Sequence, residues 1–259
     1  MAGQQRHQKV INALVKQIFL GKLKPETKLP TEKQLSARMK VDRTSLRLAL
    51  KQLEAMKVLS IRQGDGIYVK DYLKNAGLDF LGLSFQEQEK SRGKWGIDAY
   101  IMDEIWEFWT LFSPPVLELA LKRCSTRDIK SMAELLELQE KYLGDRKKMA
   151  EIEISFQDKT AAIINNTILL LLFNSLRPLR KKTTQILIDS LDQKGLKGLI
   201  ETKRILLEKA MKGSDADIAQ AAEMFRERCQ ASRQKLRESM SSTPPIKSQG
   251  KKRGNSREK

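Results

Sequence analysis

Leu29-Pro30-Thr31-Glu32-Lys33-Gln34-Leu35, then Val41-Asp42-Arg43-Thr44-Ser45-Leu46-Arg47, then Arg62-Gln63-Gly64-Asp65-Gly66 decide how this chain folds. In the first segment Thr31 stands three residues before Gln34, the spacing of a reciprocal capping box, so a helix starts at Glu32 with Leu35 and Met39 facing inward. Lys40-Val41 makes a turn, with Val41 plugging the corner. Asp42 is a good N-cap, and the helix it opens carries Leu46, Leu50 and Leu53 on one face and runs to about Met56. Leu59-Ser60-Ile61-Arg62 and Ile67-Tyr68-Val69 alternate as strands do, and Gly64-Asp65-Gly66 between them supplies hairpin chemistry.

Upstream, Ile11, Leu14, Val15, Ile18 and Phe19 recur at helical spacing over residues 7–20, before Gly21 and Pro25 break the helix. Three helices and a hairpin in this order are the parts of a winged helix-turn-helix. A recognition helix in the major groove presents its first turn to base edges, which here is Arg43, Thr44, Ser45 and Arg47. Arginine bonds guanine O6 and N7 in bidentate fashion, and the short hydroxyls suit close contacts. Lys33 and Lys51 are placed for phosphates, which raise affinity without reading sequence. Gly64 and Gly66 permit a tight wing tip from which Arg62 or Gln63 would reach a minor groove. An isolated Arg-Thr-Ser-Leu-Arg would read as a solvated face. Two caps, a turn and a glycine hairpin at compatible spacing favour the nucleic-acid reading.

Residues 8–70 resemble the DNA-binding domain of the GntR family of bacterial transcription regulators. That family writes the region as L-P-S/T-E-x-x-L, V-S/T-R-x-x-V/L-R and R-x-G-x-G-x-F/Y-V. The departures are Lys33 where Arg is frequent, Asp42 where Ser or Thr is usual, and Leu48 where Glu is usual. Asp42 still caps, but it repels a phosphate. The resemblance implies that Lys33, Arg43, Thr44 and Arg47 contact DNA, with Gly64 at the wing.

Four segments are expected: a winged helix-turn-helix at 1–72, a linker at 73–95, an all-helical domain at 96–238 and a disordered basic tail at 239–259. The fold class is therefore mostly α, a winged domain followed by an antiparallel helical bundle. Candidate bundle helices are 97–112, 116–123, 127–143, 147–165, 168–189, 196–212 and 215–237. Pro114-Pro115 is expected to split the first two, Pro178 to kink the fifth, and Ser125 and Ser214 or Asp215 to cap others. The net charge of +17 sits mainly at the ends: about +9 in residues 1–72 and +5 in 239–259. A polyanion would meet the ends and not the middle; a basic surface that merely aids solubility is the other reading. The tail has too few apolar side chains to order itself.

The helical second half resembles the FadR-type (FCD) half of the same family. Glu153-Ile154-Ser155-Phe156-Gln157 followed by Asn166 resembles its D-x-x-F-H…N segment, and Asp215 to Arg228 its last helix. Many members hold a divalent metal through an aspartate and three histidines. The one histidine here, His7, is in the other domain, and the aligned positions carry Glu153, Gln157, Arg204 or Lys203, and Arg226 or Arg228. That set does not suit a divalent metal, so no metal or cofactor is expected. It suits a carboxylate or phosphate effector, or else an ion-paired interior in which Glu153 neutralises an arginine. The acyl-CoA-sensing branch also lacks the metal, and Gly77-Leu78-Asp79-Phe80-Leu81 loosely resembles it. Tyr100, Trp106, Phe108, Trp109 and Phe112 would line an apolar cavity, or serve as plain core.

The expected function is a homodimeric, ligand-responsive regulator on a pseudo-palindromic operator, controlling a metabolic operon in response to an organic acid or acyl-CoA. Double-stranded DNA, a second copy and a small anion are the expected partners. A non-specific architectural nucleic-acid-binding protein is the alternative. An enzyme is not expected, since no histidine serves as a base near neutrality in the bundle. No run approaches the roughly 20 apolar residues of a spanning helix, and two cysteines, Cys124 and Cys229, fit buried thiols in a reducing cytoplasm.

Overall fold

The computed structural model describes residues 2–86 and 99–241. Helices α1 (Ala2–Phe19), α2 (Glu32–Met39) and α3 (Arg43–Ala55) precede strands β1 (Leu59–Arg62) and β2 (Gly66–Val69). Val10, Ile11, Leu14, Val15 and Ile18 of α1 are buried against Leu46, Leu50 and Leu53 of α3. Each such side chain contributes about 1.5–3 kcal/mol on burial, so this stripe dictates how α3 is presented. His7 adds a hydrogen-bonding contact across the same pair, Nε2 lying 3.0 Å from Gln52 Oε1. The strands pair antiparallel, Leu59 opposite Val69 and Arg62 opposite Gly66. Residues 26–29 run beside β2 as an irregular third strand: Leu29 N–H donates to Ile67 O at 2.8 Å and Val69 N–H to Thr27 O at 3.0 Å.

The sequence reads residues 73–95 only as a connector and assigns them no secondary structure. The first half of this connector is helical, α4 (Tyr72–Asn75) and α5 (Leu78–Gln86). Phe80 is buried in the winged-domain core, 5.2 Å from the Tyr72 ring and 6.3 Å from that of Phe19. Leu81 packs instead with Ile105, Leu176 and Leu179 of the bundle. A segment apolar on two faces is stable as a helix only when two cores flank it, which local pattern does not reveal. The polar run 87–95 and the tail beyond Ser241 lie outside the described residues.

The bundle comprises α6 (Ala99–Arg123), α7 (Thr126–Lys141), α8 (Arg146–Ile164), α9 (Thr167–Ser175), α10 (Arg177–Ser190), α11 (Gln193–Lys212) and α12 (Asp215–Ser241). Its main core gathers Leu117 of α6, Leu136 of α7, Met149 and Phe156 of α8, Ile188 of α10 and Leu206 of α11. Two expectations about proline are corrected. Pro114 and Pro115 lie inside α6 and do not end it. Burial on both sides overrides the local cost: Met102 and Trp106 are held by Ile186 and Leu236, while Leu117 and Leu121 sit in the main core. Pro178 does not kink one long helix. It lies in the first turn of α10, where its missing N–H is no loss, and α9 ends before it.

Ser125 and Asp128 form a capping box at α7. Ser214 caps α12, accepting from Asp217 N–H at 3.0 Å. Arg146 closes α10, donating to the carbonyls of Ile188 and Leu191. Among the described residues no helix is long and apolar enough to cross a membrane.

Candidate nucleic-acid interface and bundle cavity

Thr31 and Gln34 complete the capping box at α2: Thr31 N–H donates to Gln34 Oε1 at 3.0 Å, and Gln34 N–H to Thr31 Oγ1 at 3.4 Å. Lys40 takes a left-handed conformation (φ 54°) at the end of α2, and Ser36 Oγ donates to Val41 O at 2.6 Å, closing the turn. Asp42 then opens α3. Its carboxylate accepts from Ser45 N–H at 2.7 Å and from Ser45 Oγ at 2.8 Å. These bonds, the backbone one first, hold the Asp42 carboxyl below the usual carboxylate range. Arg6 of α1 stands 3.7 Å from the same carboxylate.

With 3.6 residues per turn, burial of Leu46, Ala49, Leu50 and Leu53 turns Arg43, Thr44, Arg47, Leu48 and Lys51 outward, and all five are exposed. Lys33 on α2 is exposed as well, and neither it nor Arg43 makes an ion pair among the described residues. Arg47 Nε donates to Glu32 Oε2 at 2.7 Å, and Lys51 Nζ stands 4.0 Å from Glu54. Ser45 departs from expectation. Its side chain is buried and its N–H and hydroxyl are both spent on Asp42, so it props the helix and is not free for DNA.

At the wing, Gly64 sits at the tip with φ +77°, a conformation that L side chains rarely adopt. Gly66, with φ +154°, also takes a conformation that L side chains rarely adopt, and a Cβ there would displace the end of the Lys28 side chain. Arg62 lies over the Tyr68 ring at 4.3 Å, its guanidinium 3.8 Å from Glu26 and 3.9 Å from Asp65. Asp65 accepts from Tyr68 Oη at 2.8 Å and Lys28 Nζ at 3.0 Å, which hold its carboxyl low. Gln63 is exposed beside Gly64. Sequence reasoning missed Arg6, Lys28 and Tyr68. The alternation around Tyr68 was visible, but its pairing with Lys28 depends on the irregular strand.

The family model for bacterial regulatory proteins of the gntR family matches residues 6–69. Residues 6–69 are a GntR-family helix-turn-helix domain. The chain is 32% identical over 131 residues to the HTH-type transcriptional regulator Mce2R of Mycobacterium tuberculosis, covering 50% of each protein. It is 36% identical over 86 residues to the mannosyl-D-glycerate transport/metabolism system repressor MngR of Escherichia coli, covering 33% of this chain and 35% of that one. The chain thus spans about half the length of Mce2R and about a third of that of MngR. The GntR relatives are transcription regulators, not enzymes. Among solved structures, that of Lar, which controls the expression of the Listeria monocytogenes agr system and mediates virulence, matches 90% of this chain and 96% of its own with a TM-score of 0.58 at 15% identity. That likeness extends the shared fold past the GntR domain into the bundle.

Beyond the GntR domain, α6, α8, α10, α11 and α12 enclose a cavity of about 160 Å³. Glu153, Gln157 and Arg228 line it, as do Trp106, Lys203 and Arg180. Glu153 accepts from Lys203 Nζ and from Gln139 Nε2 at 2.9 Å, and Lys203 also donates to Gln139 Oε1 at 3.1 Å. Arg180, 2% exposed, donates to Asp158 at 2.6 Å and Gln157 Oε1 at 3.2 Å, its guanidinium 4.9 Å from the Phe173 ring. Three buried donors on residues that line it have no acceptor among the described residues: Trp106 Nε1, Trp109 Nε1 and Arg228 Nε. Burial pushes the Cys229 thiol up to about 12, so it stays protonated there. With one carboxylate, already bound to Lys203, the lining does not suit a divalent cation.

Three expected cavity residues are elsewhere. Asn166 caps α9, accepting from Leu169 N–H at 3.0 Å. Arg204 is exposed and pairs with Glu140 at 2.6 Å and Glu201 at 3.0 Å, while Arg226 pairs with Glu223 at 3.5 Å on the surface. Each step along a helix turns a side chain by about 100°, and on α11 that puts Lys203 inward with Leu199, Ile200, Leu206 and Leu207. Trp106 and Trp109 line the cavity, whereas Phe108 and Phe112 stack at 5.1 Å outside it. The side chain of Tyr100 lies outside the described ones.

Proposed function

We propose that the chain is a ligand-responsive, sequence-specific transcription regulator that acts as a homodimer on a pseudo-palindromic operator in the cytoplasm, controlling a metabolic operon. The observation that carries the DNA reading is the outward face of α3, where Arg43, Thr44 and Arg47 project from a helix held by Asp42 and the α1 core. Two copies would place two such helices in successive major grooves, which matches a two-fold operator. The helical bundle is consistent with the FadR-type (FCD) subgroup.

The effector reading rests on the three unpaired buried donors. A buried N–H without an acceptor costs about 1–3 kcal/mol, and a carboxylate that reached one of these donors would relieve that cost. The cavity compares with one of about 150 Å³ that admits benzene. This favours a small anion with a compact apolar body over an acyl-CoA chain. α5 is the proposed route between the sites, since Leu81 packs in the cluster that includes Trp109, a cavity residue, and Phe80 packs in the GntR core.

Selection of bound sequences from random duplexes, followed by footprinting, tests the DNA reading. Recovery of a two-fold motif is expected; binding at equal strength to all sequences would favour the architectural alternative. Small branched and aromatic carboxylates are expected to quench the fluorescence of Trp106 and Trp109 and to alter operator affinity by about 5- to 150-fold.

A further inference from the structure

Leu48 is 57% exposed at the middle of α3, and it belongs to none of the hydrophobic clusters. The core direction of α3 is set by Leu46, Ala49, Leu50 and Leu53. At about 100° per residue, the opposite face is centred on Thr44 and Lys51, with Leu48 on one side and Arg47 on the other. Thr44 and Leu48, four residues apart, lie one above the other. Leu48 is therefore an apolar group set among the charged and hydroxyl side chains of the reading face, more than half of it exposed and outside every hydrophobic cluster of its own chain.

We infer that Leu48 is a specificity-determining residue that reads the 5-methyl group of a thymine in the major groove, beside the base pair met by Arg47. This rests on the proposed docking of α3. Of the groups that base pairs display in that groove, the thymine methyl is the one apolar feature; the others are donors and acceptors. Leucine can satisfy none of the latter. Against a guanine edge or the cytosine amino group it would displace water and leave a polar atom unpaired. Thr44 and Lys51 leave the methyl as the natural counterpart of Leu48, because they can serve phosphates or polar edges themselves.

The first arm of the test keeps the protein unchanged and alters one atom group in the DNA; the second changes Leu48 itself. The selected operator is resynthesised with deoxyuridine replacing each thymine of a half-site in turn. At one position the loss of the methyl is expected to weaken binding about three- to fivefold, the size of one buried methyl group. Leu48→Ala is expected to remain folded by circular dichroism, to bind the thymine operator about that much more weakly, and to be indifferent to deoxyuridine there. A selected operator insensitive to every such replacement, or an equal sensitivity retained in Leu48→Ala, overturns this assignment while leaving operator recognition intact. A protein that selects no sequence at all overturns the regulator reading and the Leu48 assignment together.

Discussion

Phe80 and Leu81 are neighbours on α5 whose side chains lie in two different cores, Phe80 among the helices of the GntR domain and Leu81 against Ile105, Leu176 and Leu179 of the bundle. A rigid turn of helix thus joins the two domains directly. Phe80→Ala is expected to destabilise the GntR domain by about 3–5 kcal/mol. Leu81→Ala leaves that core complete and removes the bundle contact. Calorimetry is expected to resolve its unfolding into two transitions where the parent shows stronger coupling. A single transition with unchanged shape would remove α5 from the route between the domains.

Arg43 and Arg47 project from α3 while Ser45, between them, is turned into the Asp42 cap. Arg43→Ala and Arg47→Ala are each expected to cost about 1–3 kcal/mol of discrimination, flattening the preference for the operator over a scrambled duplex in a competition gel-shift assay. Ser45→Ala should act differently, lowering the melting temperature and leaving that preference in place. Loss of preference in Ser45→Ala alone would reverse the assignment of roles.

The winged half of the fold was legible because its signals are local. Thr31 with Gln34, Asp42 with Ser45, and Gly64 with Gly66 each act within three residues, and no distant contact changes their meaning. Where tertiary contacts decide, local reading went astray. Pro114 and Pro115 look like a helix end, yet burial on both sides carries α6 through them. Arg180 carries no local signal that singles it out, and only the positions of Asp158, Gln157 and Phe173 on other turns make it a buried arginine. Lys203 was recoverable: it shares the period of Leu199, Ile200, Leu206 and Leu207, which Arg204 does not.

Lys203 and Glu153 form a buried ion pair completed by Gln139. Removing one partner leaves an uncompensated charge, so Lys203→Met is expected to cost about 3–5 kcal/mol in urea unfolding. The double substitution Lys203→Met with Glu153→Leu removes both charges and should recover most of that loss. A double variant as unstable as the single one would mean that shape, not charge, governs the site.

Asp103 of α6 is held by Arg233 and Arg237 of α12: Arg233 donates to both carboxylate oxygens at 2.9 Å, and Arg237 donates at 2.5 and 2.6 Å. These hydrogen bonds, that of Arg233 first, hold the Asp103 carboxyl far below its ordinary value of 3.8. Since the folded value lies below the unfolded one, the folded state binds fewer protons than the unfolded state at pH values between the two. The pair's contribution is therefore present in full above the unfolded value and drains away as the pH drops from about 4 toward the folded value. Unfolding free energy measured against pH should decline across that acid limb, and Asp103→Asn should flatten the decline while lowering stability at neutral pH. Arg237 is exposed at the end of this contact, so its share is screened by salt. Arg237→Gln is accordingly expected to have the smaller effect of the two arginine substitutions, with Arg233→Gln separating α12 from α6 more severely. An acid limb of the same slope in Asp103→Asn would show that other carboxylates, Asp42 and Asp128 among them, set the acid response.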